Sequence, residues 1–483
     1  MPTPQPRKII RYWSNLDPSR PALRDGERRL NYGELQDLTT SIEGVLGDSG
    51  YLNGMSVGVA FNNSIEYITA FFSVIQSGGV VVPFDPNSPL QLIKKIVESA
   101  GLSFVIADKN LDLTSMSFEK VLSSPIPEDF SLWIVIGAKS EHLPRQNQGN
   151  LLHQFTSGST GNPKHLIRTE SQIYEDYCHW IVAFSLGGDE RYLALPPFHH
   201  AYGQLGLLAT MAAGGEVCIL SRFLPSSVIK LGSSFSPTLM MVTPAMVDML
   251  NKTYTTTDRI SAFSSLRYCI CSTGFLGLDA YFLFKEAYGI SLYVQYGSTE
   301  TLSVAVSQDS IYESGLVGFP YSGVNVRIFK VDGTEALPNE LGRIGVSSPC
   351  CPTAYIGGDD KLAVCNGYIL PGDIGWIDDL GRLYVSHRDD IYNIGGYKVS
   401  RGEVELVIKS AFNLETVAVL VYMRNGQPSL RVVIETEQKT VTAERVVAIC
   451  KNELPSYKVP SKVDIYSKIT KDSNGKVLFG LEL

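Results

Sequence analysis

The strongest constraint on the fold of this chain is a repeated alternation: a short apolar run, a helical stretch, then another short apolar run. SVGVAF, from Ser56 to Phe61, reads as a buried strand, and Asn63 with Glu66 three residues later marks a helix start before an apolar run reaching Ile75. Gly78 and Gly79 close that helix, and VVVPF, from Val80 to Phe84, follows as the next strand. Ser88, Pro89 and Gln91 then supply cap, first-turn proline and capping-box partner for another helix, ahead of the strand FVIAD from Phe104. The alternation returns at Glu216 to Leu220, Leu239 to Val242, Tyr268 to Cys271 and Leu292 to Gln295. Strands joined through helices make right-handed crossovers, so the expected class is α/β, with mainly parallel sheets covered by helices in a large N-terminal domain. Ligands of such sheets sit beyond the carboxyl ends of the strands, where SSLRYCICSTG and SLYVQYGSTE put small and polar residues.

After about Ser386 the texture changes. The polar stretch HRDDIYN and the glycine pair Gly395 and Gly396 suit a bend between two units, so residues 1–387 are expected to form the large domain and 388–483 a small mobile α+β lid. Composition narrows the function. With 49 acidic against 41 basic residues and a formal charge of -8, the chain has the wrong sign for a surface that neutralises phosphodiester backbones, so no nucleic-acid partner is expected. The 43 glycines and 25 prolines in 483 residues stay well below the roughly 25–30% of low-complexity chains. Eight cysteines, including Cys269, Cys271, Cys350 and Cys351, form no Cys-x-x-Cys pair and have no His partner at zinc spacing, which reads as reduced thiols in a cytoplasmic protein. The opening MPTPQPRKIIRYWS lacks an apolar h-region and no stretch approaches the roughly 18 apolar residues of a span, so no membrane partner is expected either.

The chemistry concentrates first in HQFTSGSTGNPKHLIRT, from His153 to Thr169. Hydroxyls of Thr156, Ser157, Ser159 and Thr160 alternate with Gly158 and Gly161, and Lys164 follows. Glycines let backbone N–H groups turn inward, hydroxyls donate to phosphate oxygens, and the lysine adds positive charge, so the loop can wrap a polyphosphate. The GxxxxGK[ST] spacing of a Walker A loop is absent.

This segment, with four further motifs in order, resembles the AMP-forming adenylate ligase superfamily: acyl- and aryl-CoA ligases, stand-alone aryl-acid activators and nonribosomal adenylation domains. The resemblance implies that Thr156 to Lys164 form the phosphate loop and that in YGSTE, from Tyr296 to Glu300, Tyr296 stacks on adenine, Gly297 lies against the nucleotide, Thr299 meets the α-phosphate and Glu300 holds magnesium. A carboxylate beside a polyphosphate is repelled unless a hard cation bridges the two. Within GDIGWIDDLGRLYVSHRDD the same resemblance gives Asp373 the ribose hydroxyls, although Pro371 stands where threonine is usual. Counting forward from GRLYV, the ribose-contacting arginine is Arg388; counting back from the glycine pair lands on His387. Arg388 is preferred because a guanidinium stays charged and donates in a fixed fork. Asp389 or Asp390 corresponds to the hinge, IGGYKVSRGEVE to the small-domain motif that turns inward for the second half-reaction, and Lys476 of NGKV to the catalytic lysine.

The acid pocket is expected in LPPFHHAYG, from Leu195 to Gly203, and STGF, from Ser272 to Phe275. By resemblance His199 takes the aromatic gate, with a part in catalysis; Thr273 and Gly274 approach the nucleotide; Ser272, Phe275, Ser298, His199 and His200 face the acid. His200 stands where amino-acid-activating domains carry an ammonium-binding aspartate, and an imidazole is a poor partner for a cation. The reading is a ligase that uses ATP and Mg2+ to turn an aryl or acyl acid into an acyl-adenylate with release of pyrophosphate. The acyl group then passes to coenzyme A or to the phosphopantetheine thiol of a separate acyl or peptidyl carrier protein, since no carrier domain follows Leu483. The alternatives are a stand-alone amino-acid adenylation enzyme and a non-catalytic nucleotide-binding protein of the same fold.

Overall fold

A computed structural model of the chain describes residues 3–51, 53–88, 90–116, 118–121, 130–135, 149–156, 164–253, 261–307, 312–352, 362–388, 391–394, 397–424, 427–454 and 456–469. The chain divides into two compact units, Met1–Val326 with Val346–Ile369, and Arg327–Gly345 with Leu370–Leu483.

The first unit opens with α1 (Ile9–Leu16), β1 (Pro21–Asp25), β2 (Arg28–Asn31) and α2 (Tyr32–Asp48). There follow β3 (Ser56–Ala60), α3 (Ile65–Gln76), β4 (Val80–Pro83), α4 (Leu90–Ala100), β5 (Phe104–Asp108), β6 (Phe118–Val121), β7 (Phe130–Val135), β8 (Asn150–Thr156) and β9 (Lys164–Thr169). Next come α5 (Glu170–Ala183), β10 (Arg191–Ala194), α6 (Ala201–Ala212), β11 (Glu216–Ile219), α7 (Pro225–Phe235), β12 (Leu239–Val242), α8 (Pro244–Asn251) and β13 (Tyr268–Cys271). After the helix Leu278–Tyr288, β14 (Leu292–Ser298), β15 (Leu302–Val306) and β16 (Leu316–Pro320) close the unit's main run.

One sheet has the order β6-β7-β5-β3-β4-β8-β9. Its centre is parallel, β5 to β3, β3 to β4 and β4 to β8, while β7, β6 and β9 join antiparallel at the margins. In a second parallel run, β11, β10, β12, β13 and β14 lie side by side, with β1 parallel to β11 and with β15 and β16 added antiparallel. The sheets are therefore mixed: parallel where a helix carries the crossover, antiparallel where a short turn suffices. Central strands such as β3, β4 and β12 are buried along their whole length, which is why they read as unbroken apolar runs.

Two sequence expectations shift. The cap of α3 is Ser64, whose hydroxyl accepts from Tyr67 N at 3.1 Å, so the helix starts one residue later than Asn63 implied. Asn63 is committed elsewhere, as described below. The strand ending in YGS runs on to Ser298 rather than Gln295, because it turns directly into antiparallel β15 and gains ladder partners there.

The second unit contains the strand Asp373–Ile377 paired antiparallel with Leu383–Arg388 and with Gly342 and Arg343. That pairing gathers residues 327–345 and 370–387 into the C-terminal unit, ahead of the 388 boundary read from composition. Beyond it come the hairpin Ile391–Ile394 and Tyr397–Ser400, the helix Arg401–Phe412, the antiparallel strands Thr416–Arg424 and Gln427–Glu435, the helix Ala443–Glu453 and a parallel strand Lys462–Tyr466. This is an α+β arrangement around Val404, Ile408, Val419, Val432, Ile434 and Val446. All eight cysteines are free thiols. Among the described residues no helix is long and apolar enough to cross a membrane.

Candidate active site

Three of the expected site segments follow the carboxyl ends of strands in the parallel run of the first unit. Leu195 to His200 follows β10, Ser272 to Phe275 follows β13, and Tyr296 to Glu300 ends β14. Ser272 Oγ donates to Gln295 O at 2.9 Å and ties the ends of β13 and β14 together. Thr273 has φ of 76°, a conformation that costs a β-branched residue energy. Gly297 is forced by space: a Cβ there would lie 2.4 Å from Leu302 O, because the β14–β15 ladder bulges between Tyr296 and Gly297. Ser298 Oγ accepts from Thr301 N at 3.2 Å and lies 3.0 Å from Thr301 Oγ1, which shapes the turn bearing Thr299 and Glu300. Tyr296 and Glu300 are each only 8% exposed. The turn offers oxygen donors alone, the Glu300 carboxylate and neighbouring hydroxyls, which is the chemistry a hard cation such as Mg2+ accepts.

The expected phosphate loop is the connection of the β8–β9 hairpin, closed by the register pair Thr156 and Lys164. Its residues Ser157, Gly158, Ser159, Thr160 and Gly161 lie outside the described residues, as do Asp389, Asp390 and Lys476. What the structure adds is the base of that hairpin. His165 Nε2 lies 2.8 Å from His153 Nδ1, His153 Nε2 is 3.4 Å from Ser56 Oγ, and His165 Nδ1 is 3.2 Å from Ser99 Oγ. The His165 ring also stacks on Phe155 at 4.5 Å. Burial, with His165 adding to it, pushes His153 down to about 3, and burial takes His165 down to about 4. Both rings are therefore neutral at pH 7, one donating to the other.

Four residues past Lys164, Arg168 is fully buried. Its Nε donates to Gln154 Oε1 at 3.0 Å, Nη1 to Cys350 O at 2.8 Å and Nη2 to Thr299 O. A buried guanidinium is tolerable only when its donors are used and its charge is opposed. Burial lowers it to about 10, with Asp176 the main opposing influence and Glu300 a smaller one, so it remains a cation at neutral pH. Asp176 itself accepts from Ser303 N at 3.0 Å on β15. The hairpin of the phosphate loop and the Tyr296 to Glu300 turn are thus joined through one side chain.

On the other flank, Asn63 braces the segment before the two histidines. Its amide donates to Pro196 O at 3.0 Å and accepts from Phe198 N at 2.7 Å, while Tyr67 OH donates to Phe198 O at 2.7 Å. His199 and His200 follow with ring centroids 4.3 Å apart. Burial first, then the neighbouring His200, holds His199 well below the ordinary imidazole range, so it is neutral, and its Nε2 is buried without a hydrogen-bond partner. His200 starts α6 without capping it through its side chain. Phe275 is 58% exposed, and Gly274 stands 3.5 Å from Pro244 at its Cβ position.

In the second unit Asp373 and Arg388 are register partners across the antiparallel pair, whereas His387 pairs with Ile374. Gly372, just before Asp373, has φ of 91°.

A model of the AMP-binding enzyme family matches residues 10–356. The chain belongs to that family. It is an AMP-forming acid-thiol ligase of the adenylate ligase superfamily that the motifs resembled. The ligase is 26% identical over 478 residues to an uncharacterised acyl-CoA ligase of Bacillus subtilis (strain 168), covering 96% of this chain and 95% of the relative. It is 26% identical over 483 residues to a feruloyl-CoA synthase of Amycolatopsis, with 97% and 96% covered. The crystal structure of ATP-bound MatB from Rhodopseudomonas palustris shares the fold, with a TM-score of 0.80 at 20% identity over 98% of this chain and 97% of that one.

Sequence reasoning gave Arg168 and Gln154 no role of their own and took Asn63 only as a helix start. The available signal was a charged residue next to the apolar pair Leu166 and Ile167, but its partners are 14, 131 and 182 residues away.

Proposed function

We propose that this ligase activates an aryl or acyl carboxylic acid with MgATP and passes the acyl group to the thiol of coenzyme A. In the first step a carboxylate oxygen attacks the α-phosphorus of ATP, the bond to the β-phosphate oxygen breaks, and acyl-adenylate and pyrophosphate form. In the second the thiol, losing its proton, attacks the acyl carbon and AMP leaves with the bonding electron pair. The reading rests most on one observation, the Tyr296 to Glu300 turn held against the phosphate-loop hairpin through Arg168.

Tyr296, Gly297, Thr273 and Gly274 are assigned to the nucleotide, Thr156, Ser157, Gly158, Ser159, Thr160, Gly161 and Lys164 to its phosphates, and Asp373 with Arg388 to the ribose. Glu300 would hold Mg2+, which when bound offsets phosphate charge. Lys476 stabilises charge on the carboxylate and α-phosphate. Ser272, Phe275, Ser298, His199 and His200 line the acid's side, and the neutral His199 offers its free Nε2 to the incoming group. The small domain turns about Asp389 or Asp390 between the steps, so that water is excluded first and a thiol admitted later.

Aromatic acids come first in this reading because the two imidazoles and Phe275 are groups that stack on a ring, and because His200 gives an ammonium no countercharge. The feruloyl-CoA synthase relative supports both the aryl acid and the coenzyme A acceptor. A pyrophosphate-exchange screen over benzoate-type, cinnamate-type, aliphatic and α-amino acids tests the first step. Thioester formation with coenzyme A against a phosphopantetheinylated carrier protein tests the second. Exchange driven best by an α-amino acid would overturn the substrate reading, and acylation of the carrier alone would overturn the acceptor.

A further inference from the structure

We propose that Arg168 is a positioning residue for the nucleotide's cation site, acting through the peptide that joins Thr299 to Glu300. The inference rests on the reading that Glu300 serves the divalent cation of MgATP. The Thr299 carbonyl belongs to a planar unit that includes the nitrogen and Cα of Glu300, so fixing its oxygen fixes the base from which the Glu300 side chain departs. Arg168 Nη2 donates to that oxygen. The guanidinium is itself held in place by Gln154 Oε1 at 3.0 Å and Cys350 O at 2.8 Å, so the three contacts leave it no freedom to swing.

Placement on β9 gives this fork its function. Arg168 shares a strand with Lys164, which closes the phosphate loop, and Gln154 lies on β8, the other arm of the same hairpin. A displacement of the hairpin would move the donor, and with it the Thr299 carbonyl, so phosphate loop and cation ligand keep a common register. Packing alone does not call for a charge here: a Met or Leu would fill the volume without the desolvation that drives Arg168 down to about 10. The carboxylates of Asp176 and Glu300 favour the charged form of the guanidinium. Lysine would keep the charge but cannot present three donors in a planar fork.

The test is calorimetric binding without any acid substrate, using ATP with Mg2+, ATP with EDTA, and AMP. The gain in ATP affinity from Mg2+ is the quantity of interest. Arg168→Lys is expected to reduce that gain about tenfold, the scale of one charge-assisted hydrogen bond, while AMP affinity stays within about twofold. Gln154→Met keeps the guanidinium and removes one anchor; its expected loss is about threefold in the same direction, and it decides the matter if Arg168→Lys does not fold. Equal losses for AMP and MgATP would reduce Arg168 to a structural role and overturn the proposal, as would an unchanged Mg2+ gain in either folded variant. Glu300→Gln is the control. If it retains the full Mg2+ gain, the reading of Glu300 fails and this inference falls with it; if it loses the gain while Arg168→Lys does not, only the positioning role fails.

Discussion

The two flanks of the site are built differently. On the proposed nucleotide flank, the β8–β9 hairpin and the Tyr296 to Glu300 turn are cross-linked by a fully buried cation, each of whose three nitrogens donates a hydrogen bond. On the acid flank, the backbone before the histidines is braced by Asn63 and Tyr67, yet His199 Nε2 is left without a partner and Phe275 is mostly exposed. The first flank ties its hairpin to its turn through contacts within the chain, as suits a substrate common to the whole family. In the proposed reading, the second leaves polar and aromatic groups to be met by the acid. A buried unsatisfied atom costs about 1–3 kcal/mol, which a ligand recovers on binding.

If this contrast holds, nucleotide-side changes should slow all acids alike and acid-side changes should discriminate among them. The largest effect is expected from Lys476→Ala, which should cut pyrophosphate exchange about 100- to 1,000-fold with every acid while leaving use of a supplied acyl-adenylate intact. Near-normal exchange would remove Lys476 from the mechanism. Gly297→Ala comes next. Its Cβ would press on Leu302 O at 2.4 Å, a backbone atom that cannot swing aside, and overpacking of that kind costs about 1–3 kcal/mol. MgATP affinity should fall about tenfold, equally for all acids, and an acid-dependent effect would blur the two flanks.

Asn63→Ala sharpens the contrast from the other side. Losing both contacts to Pro196 and Phe198 should raise KM for the acid about tenfold, with MgATP affinity within about twofold. A matching loss of MgATP affinity would mean that the bracing serves both flanks.

The smallest effect concerns the hairpin's histidine pair and reads out as stability. His153 and His165 titrate near 3 and 4 in the folded chain, below the ordinary 6.5, so between those values the unfolded chain binds more protons. Stability should be full above about pH 6.5 and fall as pH drops toward 4, each ring contributing at most about 1.4 kcal/mol per pH unit. His153→Asn should flatten the slope of Tm against pH in that window. An unchanged slope would show that the pair is not the acid-sensitive part of the hairpin.

Much of the molecule was legible beforehand because its signals are local. The strands FVIAD, LMMV and YCIC begin and end where their apolar runs do. Gly297 and Thr273 lie in motifs whose spacing is short enough to read. The start of α3 was misread because Asn63 and Ser64 are both good caps, and the choice between them depended on Pro196 and Phe198, far along the chain. The extent of β14 was underestimated because its last residues carry no apolar signal and owe their extended form to β15.

The amino-acid sequence by itself determined the α/β alternation, the order of the nucleotide motifs and the kinds of group that can bind phosphate, metal and acid. Those follow from periodicity and residue chemistry within a few positions. Only the tertiary structure decided that Arg168 would be a buried fork rather than a surface charge, that His153 and His165 would share a hydrogen bond, and that His199 would keep a free nitrogen. Each of these depends on which distant groups reach hydrogen-bond distance and on how completely water is removed around them, and neither is encoded in the spacing of any one segment.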